Sequence, residues 1–223
     1  MIRRHRLLNC AFVTLAAIAG VAVADASTIS ARLNGVSPSR IVGISIDGGW
    51  HYSNLRAGEL DWSKTGGNAP NIPSHFSTFC IEISKHVSSG ANYTYNIAGV
   101  ASGPTSILGG MGASKADAVA ELCGRYLGGP LQSDGNYGAA LQLAIWEIVM
   151  DGGRDLSSGN FRARNRGGYY SLAQNMLSSI NGAGPRATLT GLLQDSVQDQ
   201  IYVPEPASLV LIALGALSQL RRR

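Results

Sequence analysis

Residues 138–150 read G-A-A-L-Q-L-A-I-W-E-I-V-M, apolar on almost every side at helical spacing. A helix of that kind has no face to offer to water, so the rest of the chain has to enclose it. Only Gln142 and Glu147 interrupt the run. Five residues apart on a helix they stand roughly 140° from each other, so they do not make one polar face. Glu147 is expected at solvent or against a partner. Gln142 is a side-chain amide in an apolar stripe, where an unpaired buried amide costs about 1–3 kcal/mol. It must therefore find a hydrogen-bonding partner on a neighbouring element or be changed chemically.

The segments around this helix predict what encloses it. Residues 28–33 and 40–46 show short alternating patterns and read as strands, with Asp47-Gly48-Gly49 as a turn before Trp50-His51-Tyr52. The Gly- and Pro-containing stretch 64–74 reads as a loop, followed by strands at 76–87 and 92–100. The period then changes. Ser114-Lys115-Ala116-Asp117 predicts a capped helix start running to about residue 127 and stopping at Gly128-Gly129-Pro130. The apolar helix spans 137–150 and ends at Asp151-Gly152-Gly153, a polar loop covers 154–168, and a third helix covers 169–180. Strand-like text returns at 187–193 and 200–203. Strands, then helices, then strands predict an α+β fold: a β-sandwich or barrel-like scaffold with an inserted helical subdomain that carries the Gln142 helix.

The two ends are of a different kind. Arg3, Arg4 and Arg6 precede an apolar run over residues 7–23, and small residues follow at Ala22, Ala24 and Ala26. That order is the secretory signal pattern, so residues 1–26 are expected to be removed on export. The other end reads Pro204-Glu205-Pro206, an apolar stretch over 207–220, and Arg221-Arg222-Arg223. The apolar stretch is marginal against the roughly 20 residues of a membrane span, and the arginines would hold its far side in the cytoplasm. The prolines leave the junction extended and open to a processing enzyme. This three-part end resembles the PEP-CTERM sorting signal of Gram-negative bacteria. The resemblance implies an exosortase-type processing enzyme as partner, a transient transmembrane helix in the inner membrane, and delivery to the cell surface or extracellular matrix.

Charge excludes one function class. The net charge of +4 and pI near 9.1 would suggest nucleic acid. Six of the 18 basic residues are the terminal arginines, and only Asp25 and Glu205 leave the 14 acids, so the middle carries 12 of each sign. The basic pI is a targeting effect, and no nucleic-acid partner is expected. Residues 27–203 are expected to form one globular domain, rich in Gly, Ser and Asn as suits an extracellular fold.

Within that domain, Thr78-Phe79-Cys80-Ile81-Glu82-Ile83 reads as a strand with Phe79, Ile81 and Ile83 on one face and Thr78, Cys80 and Glu82 on the other. If the Cys80 thiolate attacks the Gln142 side-chain carbonyl, ammonia leaves and an internal thioester remains, with the costly amide donors gone. The sequences FCIE at residues 79–82 and LQLAIW at 141–146 resemble the paired motifs of the thioester domains of bacterial surface adhesins. The resemblance implies that Cys80 supplies sulfur from a strand and Gln142 the acyl group from a helix. Glu82 and Trp146, which close the two motifs, and Glu147 beside the second are expected as supporting groups. It implies covalent adhesion to a nucleophile on an extracellular polysaccharide or surface protein. The best-known members are Gram-positive proteins with a different anchor, so the tail described above is a departure.

Cys80 has other fates open to it. Once Cys10 leaves with the signal, Cys80 and Cys123 are the two remaining cysteines, and exported proteins favour pairing. A thioester, a Cys80–Cys123 disulfide and two free thiols are the three outcomes. The alternative function is a structural biofilm-matrix protein in which both motifs only pack the core. No enzyme activity, cofactor or metal is expected: His51, His75 and His86 lack ligand spacing, and no phosphate loop or Ser-His-Asp pattern occurs. Arg162, Arg164 and Arg166 read as a solvated basic loop, though one able to touch anionic polysaccharide. Trp50, Trp62 and Trp146 are expected in the core, with Trp62 the one most open to exposure.

Overall fold

The computed structural model describes residues 27–69, 71–127 and 134–204. The export segment 1–26, the Gly128-Gly129-Pro130 stop, and the tail from Glu205 and Pro206 onward lie outside the described residues. In chain order the elements are β1 (Thr28–Ser45), β2 (Ser53–Gly66), β3 (His75–Cys80), β4 (Asn92–Ala98) and a 3-10 turn (Val100–Ser102). Then come α1 (Gly112–Tyr126), α2 (Gly135–Asp151), β5 (Arg162–Ala163), α3 (Gly167–Ser179), β6 (Thr190–Leu193) and β7 (Gln200–Tyr202). Strands run in the order β2-β3-β7-β6-β4-β1, and β1 pairs back onto β2, closing a six-stranded antiparallel barrel. The short β5 extends the far end of β1. All three helices fall between β4 and β6 in the chain.

The expected α+β, barrel-like class is what the chain adopts, with several local corrections. The two strands expected at 28–33 and 40–46 are one 18-residue strand. It follows β2 along its length through register shifts between Ser30 and Ala31, Leu33 and Gly35, and Val36 and Ser39. Such bulges bend a strand and interrupt its alternation, which is why it reads as two pieces. β2 was not expected, because Arg56, Glu59, Asp61 and Lys64 punctuate it; yet Ala57, Leu60 and Trp62 turn inward and are buried. β3 stops at Cys80 rather than continuing to Val87, and all of residues 78–83 are buried, so both faces of the strand end are covered. At the start of α1 Met111 occupies the cap position, and Ser114 lies inside the helix rather than capping it.

The tryptophans are also redistributed. Trp62 is fully buried, stacked with Phe76 at 6.4 Å and edge-on to Tyr95 at 5.8 Å, and its Nε1–H donates to Thr78 Oγ1 at 2.8 Å. Trp50 is 85 % exposed at the β1–β2 turn.

α2 behaves as its composition requires. Asp134 caps it by accepting from the Asn136 N–H at 2.9 Å, and Gly152 ends it in the left-handed conformation (φ 67°). Every residue from Tyr137 to Val149 is buried, enclosed by β1, β2 and β3 on the barrel side and by α1 and α3 on the other.

β2 and β1 are in close contact at Gly58. Its φ is 154°, and a Cβ there would run into the Pro38 carbonyl oxygen and come within 2.8 Å of Ser39 Cα. Backbone cannot retreat as a flexible side chain can. Gly58→Ala is therefore expected to destabilise the domain by about 2–3 kcal/mol, read as a lower urea midpoint with an unchanged m-value. An unshifted midpoint would refute this close approach.

Candidate functional site

The β2–β3 ladder ends at the pair Leu60 and Thr78. Two residues further along β3, the main-chain groups of Cys80 face the same side as those of Thr78 and have no strand to meet. The Gln142 carboxamide takes them both. The Cys80 N–H donates to Gln142 Oε1 at 2.9 Å, and Gln142 Nε2 donates to the Cys80 carbonyl at 2.8 Å. One side chain from α2 thus completes a β-ladder as a strand residue would. The amide and the two main-chain groups, all buried, are satisfied together.

The sulfur sits in its own hydrogen-bonded niche. Beyond Cys80 the chain turns back, so that the Glu82 N–H donates to Sγ at 3.2 Å and the thiol donates to the Glu82 carbonyl at 3.1 Å. Trp146, one turn along α2 from Gln142, donates its Nε1–H to Sγ at 3.4 Å. Burial pushes the Cys80 thiol up to about 12, against the opposing pull of the Trp146 and Glu82 donors. A cavity of about 180 Å³ adjoins the pair, walled by Val36, Leu55 and Leu60 beside Cys80, Gln142 and Trp146. Arg56 and His86, both exposed, also line it, so it reaches the surface.

The turn that follows Cys80 is held by two buried acids. Glu82 pairs with Lys85 at 3.1 Å and accepts from the Asp199 N–H at 3.3 Å. Asp199 accepts main-chain N–H groups of Thr105 at 2.5 Å and Gln194 at 2.6 Å, and its carbonyl accepts from Ile81 at 3.0 Å. Burial raises the Asp199 carboxyl.

Of the residues expected from sequence, Cys80, Gln142, Glu82 and Trp146 come together here. Glu147 does not. It is neither at solvent nor at the sulfur: it is buried on another side of α2, where Oε1 accepts the Asp155 N–H at 3.3 Å and Oε2 has no protein partner. Cys123 is fully buried in α1 and unbonded to Cys80, its thiol also pushed up to about 12 by burial. Pro204 is the last described residue, so Glu205 and Pro206 fall outside. Asp199 was missed: no local spacing marks it, because it reaches the end of β3 only through the turn between β6 and β7 and the pairing of β7 with β3. Among the described residues no His, Cys, Asp and Glu group is placed to hold a metal ion, and no helix is long and apolar enough to cross a membrane.

In chemical terms the arrangement is an acyl group and a sulfur held on one strand end. The Cys80 N–H already polarises the Gln142 carbonyl, and two further N–H groups face the sulfur. At the C-terminal end of the chain, residues 203–223 match the PEP-CTERM protein-sorting motif. That motif marks an exported protein recognised by exosortase and processed at the membrane. Neither the curated proteins nor the solved structures contain a match to the chain.

Glu147 gives a pH test of the helix environment. Burial raises its carboxyl from 4.5 to about 7. The folded state then holds a proton that the unfolded chain has released, so stability falls as pH rises from about 4.5 to about 7. Glu147→Gln is expected to flatten that part of a stability–pH profile, measured by urea unfolding. An unchanged slope would contradict it.

Proposed function

We propose that this is an exported surface or matrix protein whose single domain, residues 27–203, carries an internal thioester between Cys80 and Gln142. Residues 1–26 would be the export signal, and 204–223 the sorting tail that passes transiently through the inner membrane of a Gram-negative cell. The helices between β4 and β6 would be the inserted subdomain that carries the acyl donor. The reading rests chiefly on one observation: the Gln142 carboxamide is clasped on Cys80 itself, with its carbonyl facing an N–H donor.

The chemistry balances without a cofactor. Sγ bonds to the Gln142 side-chain carbon, the C–N bond breaks, and the thiol proton leaves with nitrogen as ammonia. A primary amine on a polysaccharide or surface protein would then attack the same carbon. The new amide forms, and the amine proton passes to Sγ, which leaves as the thiol. Burial holds Cys80 as the neutral thiol, so the proton that leaves with nitrogen is its own. The protein would act once as an adhesin and not turn over as an enzyme.

A second reading has its own support. With both amide groups of Gln142 paired, the same contacts suffice for a structural biofilm-matrix protein with no reactive bond. Incubation of the exported protein with a fluorescent primary amine separates the two. The thioester reading expects one label per chain, mapped to residue 142, and none in Cys80→Ala or Gln142→Ala. No label on the parent protein, or labelling that persists unchanged in Cys80→Ala, would leave the structural reading.

A further inference from the structure

Trp50 stands at the tip of the β1–β2 connection with 85 % of its surface in water. The loop that displays it is firmly built. Ser45 Oγ accepts the Gly49 N–H at 2.9 Å, Asp47 Oδ1 accepts the His51 N–H at 3.1 Å, and the Gly48 N–H donates to the Asn160 carbonyl at 2.9 Å. A large aromatic ring held out on a fixed turn offers a flat apolar face with a polar edge to a ligand. Ile46, nearly half exposed, precedes Trp50 by four residues at the start of the same turn.

Two arginines pack against the same turn, on Tyr52 and on Gly49. The stem of Arg164 lies across Gly43 on β1, and its guanidinium carbon is 4.7 Å above the centre of the Tyr52 ring. Stacking of this kind fixes the plane of the guanidinium and leaves its edge N–H groups free to meet an anion. Arg162 lies over Gly49, beside Trp50 in the chain, with Nε donating to the Gly159 carbonyl at 3.0 Å. The acid of the tip, Asp47, is engaged by His51 Nδ1 at 2.6 Å and by the Ser45 hydroxyl at 2.5 Å. A surface with one flat ring and two oriented cations suits a sugar that presents a CH face next to a carboxylate. The domain as a whole carries 12 basic and 12 acidic residues, so it has no broad positive field for a nucleic acid.

We propose that the Trp50 tip binds an acidic polysaccharide, Trp50 stacking on a pyranose ring and Arg162 and Arg164 pairing with uronate carboxylates. The site is separate from Cys80 and Gln142 and does not depend on their reaction. The test is electrophoresis of the full chain, purified after export, through gels containing alginate, neutral dextran or single-stranded DNA. Alginate is expected to retard it, dextran not. Trp50→Ala, and separately Arg162→Gln with Arg164→Gln, should each weaken retardation by about tenfold. Circular dichroism reports that the variants remain folded, and Cys80→Ala should be retarded as the parent is. Equal retardation by dextran, stronger retardation by DNA, or a Trp50→Ala variant that binds alginate unchanged would each overturn the proposal.

Discussion

A primary carboxamide in the middle of an apolar helix has two donors and an acceptor to satisfy, and a strand end has one of each to offer. The pairing of Gln142 with the main chain of Cys80 satisfies the strand end in full, together with the acceptor and one donor of the amide. Left apart, each buried group would cost about 1–3 kcal/mol. Much of the surrounding structure is arranged to keep them together. α2 is enclosed by barrel strands and by its two neighbouring helices, so it cannot rotate Gln142 away. The β2–β3 ladder stops at Leu60 and Thr78, which leaves Cys80 open to the helix. Glu82 and Asp199 then turn the chain back over the sulfur.

The same geometry gives the site its two sides. On the carbonyl, an N–H is in place where negative charge would develop on acyl transfer. On the sulfur, the Glu82 and Trp146 donors face the atom that would carry charge on departure. The sorting motif at residues 203–223 marks an exported protein, and under the proposed reading a bond shielded from water until a target nucleophile arrives would have a use there. The cavity beside Cys80 and Gln142 is the route such a nucleophile would take.

Much of this was legible in the sequence, and the reasons differ by element. α2 was readable to within about two residues because its composition and the Gly152 stop agree on it, while the Asp134 cap that starts it was not read. Gln142 stood out because its neighbours are apolar all round. β1 was split in the reading because its bulges break the two-residue repeat, and β2 was lost behind its charged outer face although Leu60 and Trp62 keep the alternation. Trp50 and Trp62 exchanged roles for the same reason: one follows a Gly-Gly turn, the other sits in register with a buried leucine. Glu147 was unreadable, since its burial depends on how the 153–155 loop folds over α2. Asp199 belongs to a different part of the chain and reaches β3 only through barrel closure.

The most direct measurement is the intact mass of the freshly exported protein, taken at neutral pH under non-reducing conditions and compared with Gln142→Ala and Cys80→Ala. The account predicts a mass one ammonia below that of the encoded mature chain, with no such deficit in either variant. A full encoded mass for the parent protein, with Cys80 open to alkylation after unfolding, would contradict it.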